Sequence, residues 1–185
     1  MFDIECYRSG FLSKNERNIE DTMEDQIYLL LGGNLGNRLE NLSRAREVLL
    51  NQIGYIAAES SIYETAAWGV TNQPSFLNQV VQLSSDLPPS ELLFQINQIE
   101  AVLGRQRHER WHARTIDIDI LYYGNQIINS QRLTLPHPQL HNRRFTLIPL
   151  VELAPQLMHP ILKKNNQTLL QECTDELEVN LFVVH

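Results

Sequence analysis

Two aspartates, Asp117 and Asp119, stand two residues apart in "RTIDIDILYYG" (Arg114 to Gly124), a stretch otherwise rich in isoleucine, leucine and tyrosine. Aspartate is a poor strand former, and two carboxylates on one sheet face repel each other unless a cation lies between them. Side chains alternate along a strand, so the two aspartates share a face with Cα atoms about 7 Å apart. Ile116, Ile118 and Ile120 then point the other way. Convergent carboxylates suit a hard, oxygen-seeking cation, chiefly Mg²⁺, and two such ions about 3.5–4 Å apart fit between groups of this kind. Two solvated aspartates on an exposed sheet face account for the pair alone equally well.

The preceding stretch shifts the balance. "GRQRHERWHAR" carries Arg105, Arg107, Arg110 and Arg114, four of the chain's 15 Lys plus Arg, with His108, Trp111 and His112 among them. Arginine makes forked contacts with phosphate oxygens, and Mg²⁺ is commonly held by one or two carboxylates together with substrate phosphates. Carboxylates beside arginines are what phosphoryl transfer requires: charge neutralisation and positioning, with little covalent chemistry. The residues favour a Mg²⁺–nucleotide enzyme over a solvated basic loop. "GGNLGN" lacks the lysine of a phosphate-binding P-loop and reads as a tight strand-to-helix turn. A second group, Thr65, Trp68, Phe76 and Asn78 with Phe145 from a distant segment, suits a flat heterocycle, held by stacking and oriented by amide and hydroxyl groups. Each aromatic taken singly is better explained by core packing.

These residues need elements to place them. "QIYLLLGG" is a short apolar run closed by glycines, a buried strand. Asn37 with Glu40 starts a helix whose Leu42, Ala45, Leu49 and Ile53 share a face, closed by Gly54. "YIAAESSIYET" reads as one strand and "FLNQVVQLSS" as another. Pro88 and Pro89 open a helix along Leu92, Ile96, Ile99 and Leu103 that Gly104 ends. With "RTIDIDILYYG" the order is strand, helix, strand, strand, helix, strand. That is an α+β, ferredoxin-like βαββαβ core with an antiparallel sheet, both helices on one face and the other face free for a site. A C-terminal hairpin ("NQIINSQRLTL") and helix follow, and the last 25 residues carry little signal.

The chain has 185 residues, 43% of them hydrophobic, with a net charge of -7. That balance opposes a general nucleic-acid binder. Cys6 and Cys173 offer neither metal spacing nor a disulfide framework, which fits a reducing cytoplasm. No apolar run is long enough to span a bilayer. Residues 1–25 show no periodicity and are expected to lie outside the domain, as a disordered tail or the product of a start site upstream of Met23. Residues 26–185 are expected to form one domain.

Taken together, "LLLGGNLGNR", "SSIYETAAWG…NQPSFLNQVV", "IEAVLGRQR", "RTIDIDILYYG", "LTLPHPQLHNRRFTLIPL" and "ELAP" resemble the 6-hydroxymethyl-7,8-dihydropterin pyrophosphokinase family, in the same order from about Gln26 to about Pro160. The resemblance implies transfer of pyrophosphate from ATP to the hydroxymethyl group of the pterin, giving AMP and the pterin diphosphate, in folate biosynthesis. It implies two Mg²⁺ ions on Asp117 and Asp119. Arg105 and Arg114 would act with them in catalysis. Arg107, Trp111, Glu100, Ile120, Arg132, Thr134, His137 and Arg143 would serve ATP, with Ile120 and Arg132 nearer the adenine. Phe76 and Phe145 would sandwich the pterin, and Thr65, Ala66, Trp68 and Asn78 would meet its edge. Partners are then small molecules only, with no nucleic acid and no membrane, and the protein is expected to be monomeric and cytoplasmic. The chain departs from the family where Gly-Pro is often found before the motif arginine (here His112-Ala113), in an arginine loop one residue shorter than in some members, at Asn97 and at Trp68. Two other readings remain: a metal-dependent transferase acting on nucleic acid, which the charge opposes, and a non-enzymatic ligand-binding domain, which leaves the aspartates and arginines unexplained.

Overall fold

The apolar run Gln26–Gly33 forms β1, the middle of an antiparallel sheet and buried almost throughout. The computed structural model describes residues 26–67, 73–105 and 113–183. Along one edge β1 pairs with β4 (Phe76–Ser84) and along the other with β5 (Asp117–Tyr123). The far edge of β4 carries β2 (Tyr55–Glu59) and β3 (Tyr63–Thr65) end to end, and β8 (Val179–Leu181) pairs with β3. β6 (Ile128–Asn129) and β7 (Thr134–Leu135) form the small hairpin read from the sequence.

The segment Tyr55–Thr65, expected as one strand, is two. Ser60 fills the break: its N–H donates to the Val80 carbonyl at 2.9 Å, and its hydroxyl accepts the Val80 N–H at 3.0 Å. A buried backbone group needs a partner, and here a hydroxyl supplies what the interrupted ladder cannot.

Helices α1 (Arg38–Gln52) and α2 (Pro89–Val102) lie on one face of the sheet. Their Leu42, Leu49, Leu92, Ile96 and Ile99 pack with Ile27, Leu29, Leu31, Leu77, Val81, Ile116, Ile118 and Ile120. Burying each such side chain contributes roughly 1.5–3 kcal/mol. Asn37 caps α1, its side chain accepting the Glu40 N–H at 3.3 Å and donating to the Glu40 carboxylate at 3.0 Å. Gly104, at φ +84, ends the α2 region and turns the chain toward Arg105.

The second face was expected to be open. Much of it is covered instead, because the C-terminal part folds back as α3 (Arg144–Leu153) and α4 (Asn166–Glu172). Leu147, Leu150 and Leu169 pack there on Tyr28, Leu30, Val80, Leu121 and Tyr122. A bulge makes this possible: pairing with β1 skips Leu121, so Leu121 and Tyr122 both join the second core while Ile120 and Tyr123 stay in the first. Tyr122 donates to the Asn166 side chain at 2.9 Å, and the Asn166 amide donates to the Ala154 carbonyl at 2.8 Å, tying α4 to the sheet. No helix among the described residues is long and apolar enough to cross a membrane.

Candidate active site

What stays uncovered is the end of the sheet where β1 finishes and β4 and β5 begin. The register sets the site. Gly32 lies opposite Asn78 on one side and Asp117 on the other. In the next row Leu30 lies between Val80 and Asp119. Neighbouring strands are about 4.8 Å apart, so the amide of Asn78 and the carboxylate of Asp117 stand about 10 Å apart across a residue with no side chain. A Cβ on Gly32 would meet Asn78 Oδ1 at 3.0 Å. Glycine therefore keeps open the ground between an amide and a carboxylate.

A cavity of about 140 Å³ occupies this ground. That is roughly ten times the room one water needs on the same measure, enough for a small heterocycle. Thr65, Ala66, Phe76, Asn78 and Phe145 line one part, and Arg114, Asp117, Asp119 and Arg143 another. Asn78 donates to the Thr65 hydroxyl at 3.0 Å, both residues being buried. That bond fixes which way the amide faces. The Arg143 guanidinium sits 5.6 Å from the Phe145 ring centroid, a cation–π arrangement.

The carboxylates carry their own counter-charges. Asp117 accepts from Arg105 at 2.7 Å through one oxygen and pairs with Arg114 through the other. Arg105 also pairs with Glu100. Glu100 is only 3% exposed; it accepts the Ile118 N–H at 2.8 Å, and burial pushes its pKa up against the pull of Arg105. Asp119 is pushed up to about 7, first by burial and then by the neighbouring Asp117 charge, with Arg143 acting in the opposite sense. A carboxylate so short of positive charge is a place for a cation. Among the described residues no group of three or more His, Cys, Asp or Glu side chains gathers to hold a metal. Two carboxylates sharing one sheet face have the chemistry to hold a divalent cation, whose remaining positions would go to phosphate oxygens and water.

His137 lies nearby, held by its N–H donating to the Leu121 carbonyl at 2.9 Å. Burial first, and then Arg143, lower its pKa to about 4, with Asp117 opposing. Its Nδ1 accepts the Gln139 N–H at 3.2 Å, so the neutral ring carries its proton on Nε2.

The structure therefore gathers Arg105, Arg114, Asp117, Asp119, Arg143, Thr65, Ala66, Phe76, Asn78 and Phe145 at one end of the sheet. Arg132 stands apart, in a second hollow with Leu93, Ile128 and Leu133. Thr134 is half-buried in β7 beside it in sequence. The Ile120 side chain is in the helix-side core and does not line the cavity. Glu100 works from beneath, on Arg105 and Ile118. Trp68, Arg107 and Trp111 lie outside the described residues. Leu30, Gly32, Ala67 and Gln73 also line the cavity and were not among the residues expected. Gly32 was legible only as a strand end, Leu30 only as strand core. Gln73, in "NQPSF", carried the one usable signal, an amide beside an expected pocket aromatic.

A profile of the 7,8-dihydro-6-hydroxymethylpterin-pyrophosphokinase family matches residues 28–155. The chain is 41% identical over 138 residues to the 2-amino-4-hydroxy-6-hydroxymethyldihydropteridine pyrophosphokinase of Aquifex aeolicus, covering 75% of this chain and 86% of that one. It is 40% identical over 135 residues to the protein of that name from Haemophilus influenzae, covering 72% and 84%. The crystal structure of Plasmodium falciparum HPPK-DHPS with SDX-DHP has a similar fold, with a TM-score of 0.65 at 17% identity, over 80% of this chain and 43% of that one. The matched span carries the paired aspartates, the arginines and both pocket phenylalanines, and the chain belongs to the 7,8-dihydro-6-hydroxymethylpterin-pyrophosphokinase family.

Proposed function

We propose that the two halves of this cavity join ATP to 6-hydroxymethyl-7,8-dihydropterin, so that pyrophosphate passes to the pterin's hydroxymethyl oxygen and AMP leaves. The reaction is the one the family is named for, and it places the chain in folate biosynthesis. The supporting observation is the row Asn78, Gly32, Asp117: a hydrogen-bonding edge and a phosphate-handling carboxylate face each other across open ground.

In this reading Phe76 and Phe145 stack on the pterin, while Asn78 and Thr65 orient it. Asp117 and Asp119 would hold two Mg²⁺ ions, which would supply charge neutralisation for the polyphosphate. Arg105 and Arg114, which both pair with Asp117 here, supply forked donors for phosphate oxygens. Arg143 adds charge on the phosphate side, and Arg107 and Trp111 serve the same substrate. The neutral His137 donates from Nε2 to a phosphate oxygen. Arg132, with the apolar hollow at Leu93 and Leu133, receives the adenosine end. The acceptor oxygen forms its bond to the β-phosphorus as the bond from that phosphorus to the α–β bridging oxygen breaks. AMP departs with that oxygen, and the hydroxyl proton passes to water.

The fold that carries this is proposed as the ferredoxin-like one, with β2 and β3 together taking the place of its second strand, and residues 26–185 as one domain. The enzyme is proposed to act as a cytoplasmic monomer. The test is AMP formation from Mg²⁺–ATP by purified protein, with and without the pterin. AMP that appears only with the pterin is the expected result. Mg²⁺–ATP binding with no AMP in either mixture would overturn the acceptor assignment.

A further inference from the structure

Asn34 follows the two glycines that end β1, and it does not line the cavity. It is 2% exposed, and its side chain is spent in both directions. Oδ1 accepts the Arg114 N–H at 2.8 Å. Nδ2 donates to Gln73 Oε1 at 3.3 Å and to the Pro74 carbonyl at 3.2 Å. The Asn34 and Leu35 N–H groups both donate to the Arg114 carbonyl, at 3.0 and 3.2 Å. The Arg114 backbone is thus held at both its N–H and its carbonyl. Gly33 permits the grip, since a Cβ there would come within 2.4 Å of the Thr115 carbonyl oxygen.

The two sides that Asn34 joins belong to different substrates in the reading above, on which this inference rests. Arg114 leads to Asp117 and the phosphates. Gln73 and Pro74 lead to Phe76 and Asn78, the acceptor wall. Three hydrogen bonds from the two polar atoms of one buried amide hold these segments at fixed separation, and a shift of about 1 Å in such a separation is costly to an in-line transfer. Nearby, Arg38 fastens Ser75 to Glu64, donating to the Ser75 hydroxyl at 2.7 Å and to the Glu64 carboxylate at 2.6 Å. That anchor touches the acceptor side, whereas the Asn34 side chain bonds to both segments.

We propose that Asn34 is a positioning residue that sets the pterin wall against the phosphate-handling Arg114. Its two ends are separable by chemistry. Asn34→Asp keeps the size and the acceptor for the Arg114 N–H, but it turns the donor into an acceptor facing two carbonyl oxygens. Asn34→Ala removes both ends. The measurements are pterin affinity and Mg²⁺–ATP-analogue affinity by calorimetry, with kcat and KM for each substrate, on the full chain.

Asn34→Asp is expected to weaken pterin binding, and raise its KM, about tenfold while analogue affinity stays within about twofold. Asn34→Ala is expected to weaken both ligands and to lower kcat. If Asn34→Ala does not fold, Asn34→Asp carries the test alone. Equal losses for both ligands in Asn34→Asp, or a lowered melting temperature with affinities and kcat intact, overturns the proposal and leaves Asn34 a purely structural residue. Wild-type protein that binds the analogue but no pterin overturns the acceptor assignment as well.

Discussion

Replacing Arg105 with methionine takes away the cation that lies on Glu100. Glu100 is almost fully buried, accepts the Ile118 N–H and pairs with Arg105. Removing one partner of a buried ion pair costs about 3–5 kcal/mol. The Arg105 side chain is 25% exposed, so water screens part of the interaction, and a loss of about 2–3 kcal/mol at pH 8 is expected. In a domain of this size that lowers Tm by roughly 5–10 °C. The pH dependence has a definite sign. The folded-state pKa of Glu100 lies above its unfolded value, and losing Arg105 raises it further. The folded state then holds the proton more tightly, so the penalty is present above the folded pKa and gone below the unfolded value of about 4.3. The gap between variant and wild type therefore narrows as pH falls from about 8 to about 4.5. A second change, Glu100→Gln, leaves an oxygen for the Ile118 N–H and removes the charge. Urea denaturation followed by circular dichroism on wild type, both single variants and the double variant gives the coupling, expected at about 1 kcal/mol or more. An Arg105→Met loss that is the same at both pH values, or a coupling near zero, refutes the reasoning. Arg105 would then matter only through Asp117.

Other outcomes follow from the same geometry. Asp117→Ala and Asp119→Ala should each lose about three orders of magnitude or more in turnover with unfolding midpoints near wild type; unimpaired turnover in either sinks the metal assignment. Phe76→Ala or Phe145→Ala should weaken pterin binding about tenfold to a hundredfold, at roughly 1–3 kcal/mol per stacking face, with ATP-analogue affinity kept; calorimetry that shows both ligands lost together points to misfolding. Gly32→Ala places a methyl in the ground between the substrates, 3.0 Å from Asn78 Oδ1, so kcat should fall more than either affinity, and kinetics with both substrates varied will show whether it does. His159 is 4% exposed, and burial followed by His141 pushes its pKa down to about 4. That lies below the unfolded value, so its contribution is complete above about pH 6.5 and is lost as pH falls toward 4, by about 3 kcal/mol in all. His159→Asn, which keeps an acceptor for the Ile161 and Leu162 N–H groups bonded to Nδ1, should flatten the acid limb of the stability profile.

The local pattern carried most of the sheet. β1, β4 and β5, the two long helices and the hairpin stand where apolar spacing, Asn37, Pro89 and Gly104 put them, because burial and capping act over a few residues. Long-range events were not legible. Ser60 interrupts Tyr55–Thr65 because Val80 lies opposite it, and the sequence around Ser60 says nothing of Val80. The fold-back of α3 and α4 onto the sheet depends on the Leu121 bulge, where two successive residues face one way against the strict alternation assumed. The site shows the same division. That Asp117 and Asp119 share a face followed from their spacing, with Ile118 buried between them, while their reading as a site needed the arginines that precede them. Gly32 and Asn34 owe their importance to register and to hydrogen bonds across 40 and 80 residues, which no local pattern encodes.

One bond near the far end of the domain sets a timetable. The Arg144 N–H, at the start of α3 and next to Phe145, donates to the Asp175 carboxylate at 2.9 Å. A chain leaving the ribosome at about 5–20 residues per second has exposed every carboxylate and arginine of the phosphate side well before Asp175 emerges. The helix that carries Phe145 packs on the sheet through Leu147 and Leu150 and is bonded to Ser61 and Tyr63 through Glu152, but its first N–H is capped by that last segment. During synthesis all the residues that line the cavity are therefore out of the ribosome before the cap on α3 forms, and that helix gains its N-terminal bond only when the C-terminal segment arrives.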